Sequence, residues 1–427
     1  MESFQELELN DVLETSLRHM KYDKPTPIQA QAIPVALQGQ DILGSAQTGT
    51  GKTAAFSIPL VQHLLNNPKS AGIILTPTRE LGKQVMDIIR QLLGPKPSVK
   101  TAFLIGGEPI HKQNIQLKKR PRLVVGTPGR INDHLKRGSL HLDQTDFLIL
   151  DETDRMLDMG FSIQIDDIVK HLKATRQTLM FSATMPDNII KMSNKYLNNP
   201  QRISVGSTFN PAKNITQDII RVKDITEKYN TLNTELTSRD GSIIVFVKTK
   251  YGTDKLAKKL RADGHSAEAI HGDLKQSKRE RVIRDYRAKK FRILVATDVV
   301  ARGLDVPHVE HVINYDLPQV PEDYIHRIGR TARAGKKGSA LCLISPQDGG
   351  KWHEIDCLMN PEKKKERSPS GGHKKKRPPR RNNASSGRFN PDKKRSRSDR
   401  RDDRPSSDRP KRKRPSRDSE GSENSEG

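Results

Sequence analysis

The sequence predicts an α/β protein with two tandem domains, each a parallel sheet flanked by helices, followed by a disordered basic tail. Short aliphatic runs recur along roughly the first 347 residues, with helical segments between them. Strands that alternate with helices favour parallel sheets with both faces covered. The runs that we interpret as strands are DILGSA, GIILTP, TAFLIG, RLVVGTP, FLILDE, QTLMFSAT, SIIVFVKT, FRILVATD, HVINYDLP and SALCLIS.

The alternation of predicted strands and helices is interrupted at one place, which divides the chain. The stretch RISVGSTFNPAKNITQ is polar and rich in turn-forming residues, which is typical of a linker. Each half is then close to the usual size of a single domain. The predicted parts are domain 1 over residues 1–206, a linker over 207–217, domain 2 over 218–347 and the tail over 348–427.

The tail is distinguished by its composition. Residues 361–427 contain 24 Lys and Arg against 11 Asp and Glu, no Leu, Ile or Val, and one aromatic residue, Phe389. Such a segment cannot bury enough apolar surface to offset the entropy lost on ordering, so we predict disorder. Its runs KKKRPPRR and KRKRPSR predict contacts with nucleic-acid phosphates through counterion release. A solvated tail without a specific partner is the alternative.

The composition of the whole chain limits the classes of partner. A formal net charge of +25 favours nucleic acid or an anionic membrane surface. No run approaches the roughly 18 apolar residues of a spanning helix, and the acidic start MESFQELELN does not resemble a secretory signal. Cys342 and Cys357 lie in no metal-type cluster, which predicts reduced thiols in a cytosol-like compartment.

The segment AQTGTGKT follows the strand DILGS and begins a helix, which is the setting of a phosphate-binding loop. Backbone N–H groups and the helix dipole would meet nucleotide phosphates, Lys52 would reach the β and γ oxygens, and Thr53 would hold Mg²⁺. Ala46 replaces the first Gly of the usual pattern, but Gly49 and Gly51 keep the loop tight. The predicted nucleotide-binding residues here are Ala46, Gln47, Thr48, Gly49, Thr50, Gly51, Lys52 and Thr53.

The strand in LILDETDRML ends in three acids, Asp151, Glu152 and Asp154. Unpaired carboxylates are very costly in a dry site, so a positive partner is expected. In proteins with such a loop, an acid at the end of a neighbouring strand holds the Mg²⁺ that bridges the phosphates. We assign this metal role to Asp151 and predict that Glu152 orients or deprotonates the attacking water. The alternative is an exposed turn whose acids cap the next helix.

Eleven short segments complete the pattern. They are PTPIQ (25–29), AQTGTGKT (46–53), PTREL (77–81), GG (106–107), TPGR (127–130), DETD (151–154), SAT (182–184), VFVKTK (245–250), HGDLKQSKR (271–279), ATDVVARGLD (296–305) and HRIGRTARAG (326–335). In content and order they resemble the motifs of the DEAD-box ATP-dependent RNA helicases of superfamily 2, over roughly residues 1–346. The resemblance implies two RecA-like domains, with ATP and Mg²⁺ in the cleft between them and RNA across both.

The resemblance also implies further nucleotide contacts. Gln29 is similar to the family's adenine reader, and Phe4 resembles the upstream aromatic residue that packs on adenine, with a core role for Phe4 as the alternative. Asp305 is similar to the acid on the ribose hydroxyl, and Gly303 of the same segment is assigned to the nucleotide site.

Catalysis is expected to need both domains. Arg330 and Arg333 resemble the arginine pair that domain 2 presents to the γ-phosphate, a contribution worth roughly 10³–10⁵ in rate. Because this pair lies in the other domain, hydrolysis should require closure of the cleft. The predicted catalytic residues are Lys52, Asp151, Glu152, Arg330 and Arg333, with Thr53 and Asp151 as metal ligands.

Four residues are predicted to couple the domains. Ser182 and Thr184 resemble the hydroxyl link between Asp154 and the domain interface. His326 is similar to the family histidine that contacts the acidic motif across the closed cleft, and a purely structural histidine is the alternative.

The RNA contacts follow from the resemblance and from loops that mix Gly, Thr and Arg. Such loops suit phosphate and 2′-hydroxyl contacts, which position a strand without reading its sequence. Aromatic residues make up 4% of the chain, so base stacking should not dominate and sequence specificity should be low. The predicted RNA-binding residues are Pro77, Thr78, Arg79, Gly106, Gly107, Thr127, Pro128 and Arg130 in domain 1, and Lys248, Thr249, Gln276, Arg279 and Thr297 in domain 2.

Three positions depart from the family pattern. Thr153 makes the tetrad DETD instead of DEAD, and its hydroxyl beside SAT could alter how hydrolysis couples to RNA. Ala332 replaces the usual Gly of the arginine motif. If that site needs a left-handed backbone, Ala costs about 1 kcal/mol there, whereas a helical setting would make it harmless. Lys21 stands where the adenine motif often has Gly.

The favoured function is an ATPase that binds RNA on closing, bends one strand and locally melts short duplexes. The alternative is a nucleotide-gated RNA clamp or scaffold with little unwinding, and a DNA-directed motor is a third candidate. Compact loops suggest a bacterial, cytoplasmic protein, while the KRKR and RS-like runs would equally suit a nuclear one. Ribonucleoprotein or ribosome-assembly partners are compatible with this core, and the sequence does not select the RNA or the pathway.

Overall fold

Two separate parallel sheets organise the protein. The computed structural model describes residues 1–46, 49–95, 97–205, 214–298, 306, 308–332 and 336–360. Within these residues one sheet has seven strands and the other has six. The predicted fold class, two parallel-sheet domains flanked by helices, is therefore confirmed. The tail beyond residue 360 lies outside the described residues, so its disorder stays a prediction.

The first sheet domain contains β1 to β7 and the helices around them. A short 3₁₀ turn, Phe4–Glu6, comes first. The elements are α1 Asp11–His19, α2 Pro27–Leu37, β1 Ile42–Ala46, α3 Lys52–Asn66, β2 Ala71–Leu75, α4 Arg79–Leu92, β3 Thr101–Leu104, α5 Ile110–Lys118, β4 Leu123–Gly126, α6 Pro128–Lys136, β5 Thr145–Leu150, α7 Thr153–Asp158, α8 Ser162–Val169, β6 Gln177–Ser182, α9 Asp187–Tyr196 and β7 Gln201–Val205.

The strand order of this sheet is β3-β4-β2-β5-β6-β1-β7, and all the pairs are parallel. The carboxyl ends therefore meet at one edge: Ser45 pairs with Ser182, and Leu150 pairs with Leu75. The phosphate-loop strand β1 and the acidic strand β5 are not neighbours, because β6 lies between them. Our expectation of an acid on a neighbouring strand is wrong in that respect.

Apolar residues on alternate positions of the strands face two different cores. In β5, Phe147 and Ile149 pack against α1 to α4, whereas Leu148 and Leu150 pack against α6, α8 and α9. Burial on both faces explains why the central strands are continuous aliphatic runs. The sheet is thus held rigidly between two helical layers, and the loops at its carboxyl edge are left to form a site.

The second sheet domain has the strand order β10-β11-β9-β12-β13-β8, again all parallel. A 3₁₀ turn, Pro346–Asp348, precedes its last helix. The elements are β8 Ile215–Arg221, α10 Ile225–Ser238, β9 Ser242–Phe246, α11 Lys250–Ala262, β10 Ala267–Ile270, α12 Gln276–Arg287, β11 Ile293–Ala296, β12 Val309–Asn314, α13 Pro321–Ile328, β13 Gly338–Ile344 and α14 Gly349–Met359.

All ten predicted runs contain a strand, and the described residues contain three further strands that were not predicted. These three, β7, β8 and β10, lie at sheet edges. Strands β7 and β8 are largely exposed and lack the continuous apolar run of a central strand; in β7 only Ile203 is buried. Strand β10 is mostly buried, but it is short and Glu268 interrupts its apolar residues. Two predicted domain boundaries also differ from the observed elements. The first is the start of domain 2, because β8 begins at Ile215, inside the predicted linker.

The second difference is at the end of domain 2. Helix α14 lies beyond residue 347, in the predicted tail, and buries Trp352 and Ile355. Trp352 packs edge-on against Tyr324 of α13 with ring centroids 5.9 Å apart. The packed part of the chain is therefore longer than predicted. Among the described residues, no helix has the length and apolar character needed to cross a bilayer.

Candidate functional site

The phosphate-binding loop is shaped by two glycines and one buried lysine. Gly49 and Gly51 have φ of +84° and +96°, a left-handed backbone that favours glycine. A Cβ atom at Gly51 would come within 2.5 Å of the Gln29 Nε2 atom. Lys52 begins α3 and donates a hydrogen bond from Nζ to the Ala46 carbonyl at 2.8 Å. The ammonium group therefore lies over the end of β1, within the loop.

The predicted adenine residues are already packed against their neighbours. The Gln29 Oε1 atom accepts a hydrogen bond from the Thr26 N–H at 2.9 Å, and Nε2 donates to the Gly51 carbonyl at 3.1 Å. Gln29 thus links the start of α2 to the phosphate-binding loop. The Phe4 ring is buried in the core and lies edge-on to Tyr22, 5.7 Å between centroids. This burial favours the core role of Phe4, and its contact with adenine stays a prediction.

Asp151 lies at the carboxyl end of β5 and is 2% exposed. Burial raises the pKa of this carboxyl to about 7, although Lys52 works in the opposite direction; the neighbouring Glu152 and Asp154 add to the rise. A buried acid beside two others is the charge arrangement that a divalent cation would relieve.

Glu152 differs from Asp151 in that its pKa is lowered and not raised. Burial opposes its ionisation, but Arg155, Lys52 and Arg330 outweigh burial and lower its pKa to about 2. The residue has φ +50° and ψ +54°, a left-handed backbone that is costly for a side chain larger than glycine. Its side chain forms no cap of α7, and all three acids are buried. The exposed-turn alternative, in which these acids cap the helix, is therefore wrong.

Asp154 connects the acidic segment to the SAT loop. Its Oδ2 atom accepts hydrogen bonds from the Ala183 N–H at 3.1 Å, the Thr184 N–H at 2.9 Å and the Thr184 Oγ1 hydroxyl at 3.0 Å. The Asp154 N–H donates to the Ser182 Oγ atom at 3.4 Å. From the second sheet domain, His326 Nε2 lies 3.9 Å from the same Asp154 Oδ2. Asp154 thus contacts both sheet domains.

Thr153, the third residue of the predicted acidic motif, is fully buried between the strands. Its Oγ1 atom lies 3.1 Å from the Phe181 carbonyl and 3.3 Å from the Leu150 carbonyl, and donates to this pair. The hydroxyl therefore joins the end of β5 to the end of β6, one residue before Ser182.

The arginine motif of the second sheet domain lies next to these acids. Arg330 is buried, and its Nε atom donates to the His326 carbonyl at 3.1 Å. The Arg330 charge is among those that hold Glu152 ionised. Ala332 has φ +54°, so the departure from the family glycine lies in a left-handed backbone. Lys21, the other replaced glycine, has φ +57°.

Five predicted site residues lie outside the described part of the chain. They are Gln47, Thr48, Gly303, Asp305 and Arg333. Their assignments stay predictions.

The predicted metal ligands, Thr53 and Asp151, suit Mg²⁺ rather than a metal held by protein alone. In the described ranges, no group of three or more His, Cys, Asp or Glu could hold a metal ion. Mg²⁺ usually keeps waters and is bound through one or two carboxylates plus substrate phosphates. One hydroxyl and one buried carboxylate next to a phosphate-binding loop fit that preference.

Several predicted RNA residues of the first sheet domain have structural contacts. Thr78 caps α4, with its hydroxyl accepting from the Leu81 N–H at 3.3 Å. Arg130 Nη1 donates to the Glu108 carbonyl at 2.9 Å and to Gln113 Oε1 at 3.1 Å. The other predicted residues are also found at this carboxyl edge: Pro77, Arg79, Gly106, Gly107, Thr127 and Pro128.

Arg79 covers the GG segment and reaches the second sheet domain. The Arg79 guanidinium lies against Gly107, whose φ of +81° is a left-handed backbone that favours glycine. Arg79 Nη1 donates to Gln276 Oε1 at 3.3 Å. Next to it, Glu80 Oε1 and Arg279 Nη2 form an ion pair at 2.6 Å. Two predicted RNA residues, Gln276 and Arg279, thus bridge the domains.

The remaining predicted RNA residues of the second sheet domain differ in exposure. Lys248 and Thr249 are exposed, and the Thr249 hydroxyl caps α11 by accepting from the Gly252 N–H at 3.0 Å. Thr297 is buried, and its hydroxyl has no hydrogen-bond partner among the described residues. Only the first two therefore present side chains to solvent here.

Sequence reasoning missed two buried arginines. Arg155 contacts Glu152 from three positions further along, a spacing that places side chains on one helical face. Arg327 is fully buried and binds the Asp298 carboxylate through Nε at 2.6 Å and Nη2 at 2.8 Å. Its spacing from the buried Tyr324 was the available signal, because i and i+3 share a helix face.

A phosphate-binding loop after β1, with buried acids at the same sheet edge, defines a P-loop nucleoside triphosphatase. Residues 26–192 match the DEAD/DEAH box helicase family, and residues 227–335 match the helicase conserved C-terminal domain. The DEAD-box ATP-dependent RNA helicase CshA of Geobacillus kaustophilus is 44% identical over 369 residues, covering 86% of this chain and 78% of the relative. CshA of Bacillus cereus is 45% identical over 358 residues, covering 83% and 68%.

The chain therefore belongs to the DEAD-box ATP-dependent RNA helicase family, whose members are ATP-hydrolysing enzymes. The solved structure of S. cerevisiae Dbp5 bound to RNA and ADP BeF3 matches with a TM-score of 0.77 at 32% identity, covering 84% of this chain and 94% of that one. Mss116p bound to ssRNA and AMP-PNP also gives 0.77, at 29% identity, covering 84% and 77%. These matches confirm the tandem RecA-like fold.

Proposed function

We propose that the protein is an RNA helicase that hydrolyses ATP when RNA closes the cleft, bends one strand and locally unwinds short duplexes with little sequence specificity. The observation that carries the proposal is the convergence of both sheet domains on the acidic segment. Arg330 helps to hold Glu152 ionised, and His326 Nε2 lies 3.9 Å from Asp154 Oδ2. Catalytic groups from two domains can meet only when the domains are together.

In this proposal DETD serves as the acidic motif. Thr53 and Asp151 would hold Mg²⁺, which would supply positive charge against the phosphates. Lys52 binds the β and γ oxygens, and Glu152 orients or deprotonates the attacking water. The low pKa of Glu152 keeps it in the ionised form that can accept a proton. Arg330 and Arg333 stabilise the charge that develops on the γ-phosphate.

RNA is proposed to lie across both domains at the carboxyl edges of the sheets. The solved relatives Dbp5 and Mss116p were determined with RNA or ssRNA together with nucleotide analogues. In this chain the exposed Lys248 and Thr249 are suited to phosphate contact. Arg79 is proposed to bind RNA while holding Gln276, which would tie RNA binding to closure.

The proposal includes tail contacts with RNA phosphates and a cytoplasmic location in a bacterium. The CshA relatives come from the bacteria Geobacillus kaustophilus and Bacillus cereus. Ribonucleoprotein or ribosome-assembly partners are part of the proposal only as a class, because no residue on the described surface selects among them.

The test compares phosphate release by wild type and Glu152→Gln, with and without single-stranded RNA. General acid–base groups contribute roughly 10²–10⁴ in rate, so the variant should lose at least about 10² of the RNA-stimulated rate. Glu14→Gln, which removes an exposed carboxylate of α1, is the control and should behave as wild type. Strand release from a short duplex should require ATP.

Two outcomes would favour other functions. If wild type and Glu152→Gln release phosphate equally slowly, the protein is a nucleotide-gated RNA clamp or scaffold. If DNA of the same sequence stimulates phosphate release better than RNA does, it is a DNA-directed motor.

A further inference from the structure

Arg155 lies in α7, immediately after the acidic tetrad, and is 3% exposed. Its Nη1 atom donates to the Glu152 Oε2 atom at 3.1 Å. A buried guanidinium is held in a low-dielectric site, and burial lowers the pKa of Arg155, which Glu152 partly restores. The pair is therefore mutually dependent: each charge is tolerable because the other is present.

The other side of the Arg155 fork reaches the second sheet domain. Nη2 donates to the Asp298 backbone carbonyl at 3.4 Å. Asp298 follows β11 and Thr297, so its carbonyl lies at the carboxyl end of that strand. One side chain of the first domain thus joins the proposed catalytic carboxylate to the backbone of the second.

The position of Asp298 is itself fixed from within the second domain. Arg327 binds the Asp298 carboxylate through Nε at 2.6 Å and Nη2 at 2.8 Å. Arg327 Nη1 also donates to Asn314 Oδ1 at 3.0 Å, at the end of β12, and its guanidinium stacks on Phe246 at 4.8 Å from the ring centroid. The carbonyl that Arg155 meets is therefore anchored to β9 and β12.

We propose that Arg155 is a positioning residue through which domain closure orients Glu152. The inference rests on the proposed ATP hydrolysis. When the domains are together, the Asp298 carbonyl holds one arm of the guanidinium and the other arm aims the Glu152 carboxylate. When they separate, the carbonyl is withdrawn and the fork can rotate away. Hydrolysis is then slow in the open form for a reason additional to the absence of Arg330.

An arginine is suited to this role because its planar fork presents several donors in fixed directions. A lysine in its place offers one compact ammonium group on a flexible stem. It can contact Glu152 or the Asp298 carbonyl, but it does not fix the angle between them. Arg155→Lys should therefore keep the charge beside Glu152 and lose the coupling.

The test measures ATP hydrolysis at saturating RNA by wild type, Arg155→Met and Arg155→Lys. A hydrogen bond to a charged group contributes about 1.5–3 kcal/mol, so kcat of Arg155→Met should fall roughly 10- to 100-fold. The contacts of Arg155 with Glu152 and the Asp298 carbonyl predict an effect on kcat, with KM for ATP within about twofold of wild type. Arg155→Lys should recover only part of the loss. Rates are expressed per folded molecule, with the folded fraction taken from thermal unfolding.

The matched control is Arg122→Met. Arg122 is another partly buried arginine whose Nη1 atom binds backbone carbonyls, those of Leu64, Asn67 and Ser70, at 3.0, 2.9 and 3.2 Å. Arg122 directly precedes β4, at the amino ends of the strands, whereas the site lies at their carboxyl ends. This variant should lose stability and keep kcat. A fall in kcat of equal size in both variants would assign Arg155 a structural role and overturn the proposal.

A double variant separates positioning from other effects. If Arg155 acts through Glu152, then Arg155→Met should have no further effect on kcat in a Glu152→Gln background. An additive further loss would also overturn the proposal. The two proposals fail differently: if wild type shows no RNA-stimulated hydrolysis, the proposed function fails, whereas an active wild type matched by Arg155→Met contradicts only this inference.

Discussion

Glu80 of the first sheet domain and Arg279 of the second form a buried ion pair, with Oε1 and Nη2 2.6 Å apart and side chains 4% and 5% exposed. The pair lies beside the contact between Arg79 and Gln276. Because the two charged groups are buried between separate domains, the stability of this ion pair depends strongly on the relative position of the domains.

Replacing Glu80 with Gln should weaken the closed arrangement. Removing one member of a buried pair costs about 3–5 kcal/mol when the other stays buried. Domain separation would return Arg279 to water, so we expect opening rather than global unfolding. The affinity for a labelled RNA in the presence of AMP-PNP, measured by fluorescence anisotropy, should fall at least tenfold (about 1.4 kcal/mol).

The matched control is the exchanged pair, Glu80→Arg with Arg279→Glu. It should regain part of the lost affinity, because it restores opposite charges across the interface. Because Arg279 is also a predicted RNA contact, the exchanged pair is compared with Arg279→Glu alone, and an exchanged pair that binds RNA no better than Arg279→Glu would show that the two charges act separately.

Thr153→Val should destabilise the protein while leaving ATP binding intact. The buried Thr153 hydroxyl donates to the Phe181 and Leu150 carbonyls, and valine has nearly the same shape without that donor. The loss of one hydrogen bond is worth about 0.5–1.5 kcal/mol. Urea unfolding measures the change, and KM for ATP should stay unchanged. If the family residue, introduced as Thr153→Ala, proved more stable than wild type, the hydrogen bond would have no net value.

Ala332→Gly should stabilise the protein. The left-handed backbone at φ +54° disfavours alanine by about 1 kcal/mol or more, and the greater freedom of glycine in the unfolded chain offsets part of the gain. We expect a net increase of roughly 0.5 kcal/mol in the free energy of unfolding. Thermal unfolding under RNA-free conditions measures it.

Gly39→Ala is the reverse control. Gly39 has φ +80°, and an added Cβ would meet no atom within 4 Å, so the change tests backbone strain alone. It should destabilise by about 1 kcal/mol. A neutral Gly39→Ala would remove the basis for the Ala332 prediction.

His134 should make the protein less stable in acid. The ring is fully buried, with Nε2 2.9 Å from Gln113 Oε1 and Nδ1 2.8 Å from Ser139 Oγ. Burial, aided by Arg130, lowers the pKa of His134 below its usual 6.5. The unfolded chain therefore binds more protons than the folded chain as pH falls through 6.5, so this contribution to stability is lost on acidification.

The measurement is the free energy of unfolding in urea at several pH values for wild type and His134→Gln. The advantage of wild type should shrink as pH falls from about 7 to about 5. His171→Gln, at an exposed position, is the control for replacing a histidine as such. A difference between wild type and His134→Gln that stays constant over this pH range would contradict the prediction.

The central strands were predictable because burial on both faces demands continuous apolar residues, as in Leu148 to Leu150. The order of the strands could not be predicted, because nothing in the apolar runs indicates that β6 lies between β1 and β5. Edge strand β8 was missed because its exposed face keeps polar residues. Helix α14 begins with two glycines and is stabilised by tertiary packing of Trp352, which a local pattern does not reveal.

The candidate site likewise contains residues that the sequence located and contacts that it did not reveal. Local spacing was enough to locate Lys52, Asp151 and Glu152 on one sheet edge, because parallel strands end together. The long-range pairs were not readable from spacing: Glu80 and Arg279 are far apart in sequence, and a charged residue within a motif gives no sign of its partner. At Ala332 the sequence left two possibilities open, a left-handed or a helical backbone, and the structure shows the left-handed one.

Trp352 is the single tryptophan of the chain, and its ring lies against Tyr324 in the helix that contains His326. Intrinsic tryptophan fluorescence of the unmodified protein consequently reports on the second RecA-like domain and not on the first. Unfolding followed by this emission, compared with unfolding followed by circular dichroism of the whole chain, would reveal whether the two lobes melt as one cooperative unit or in succession.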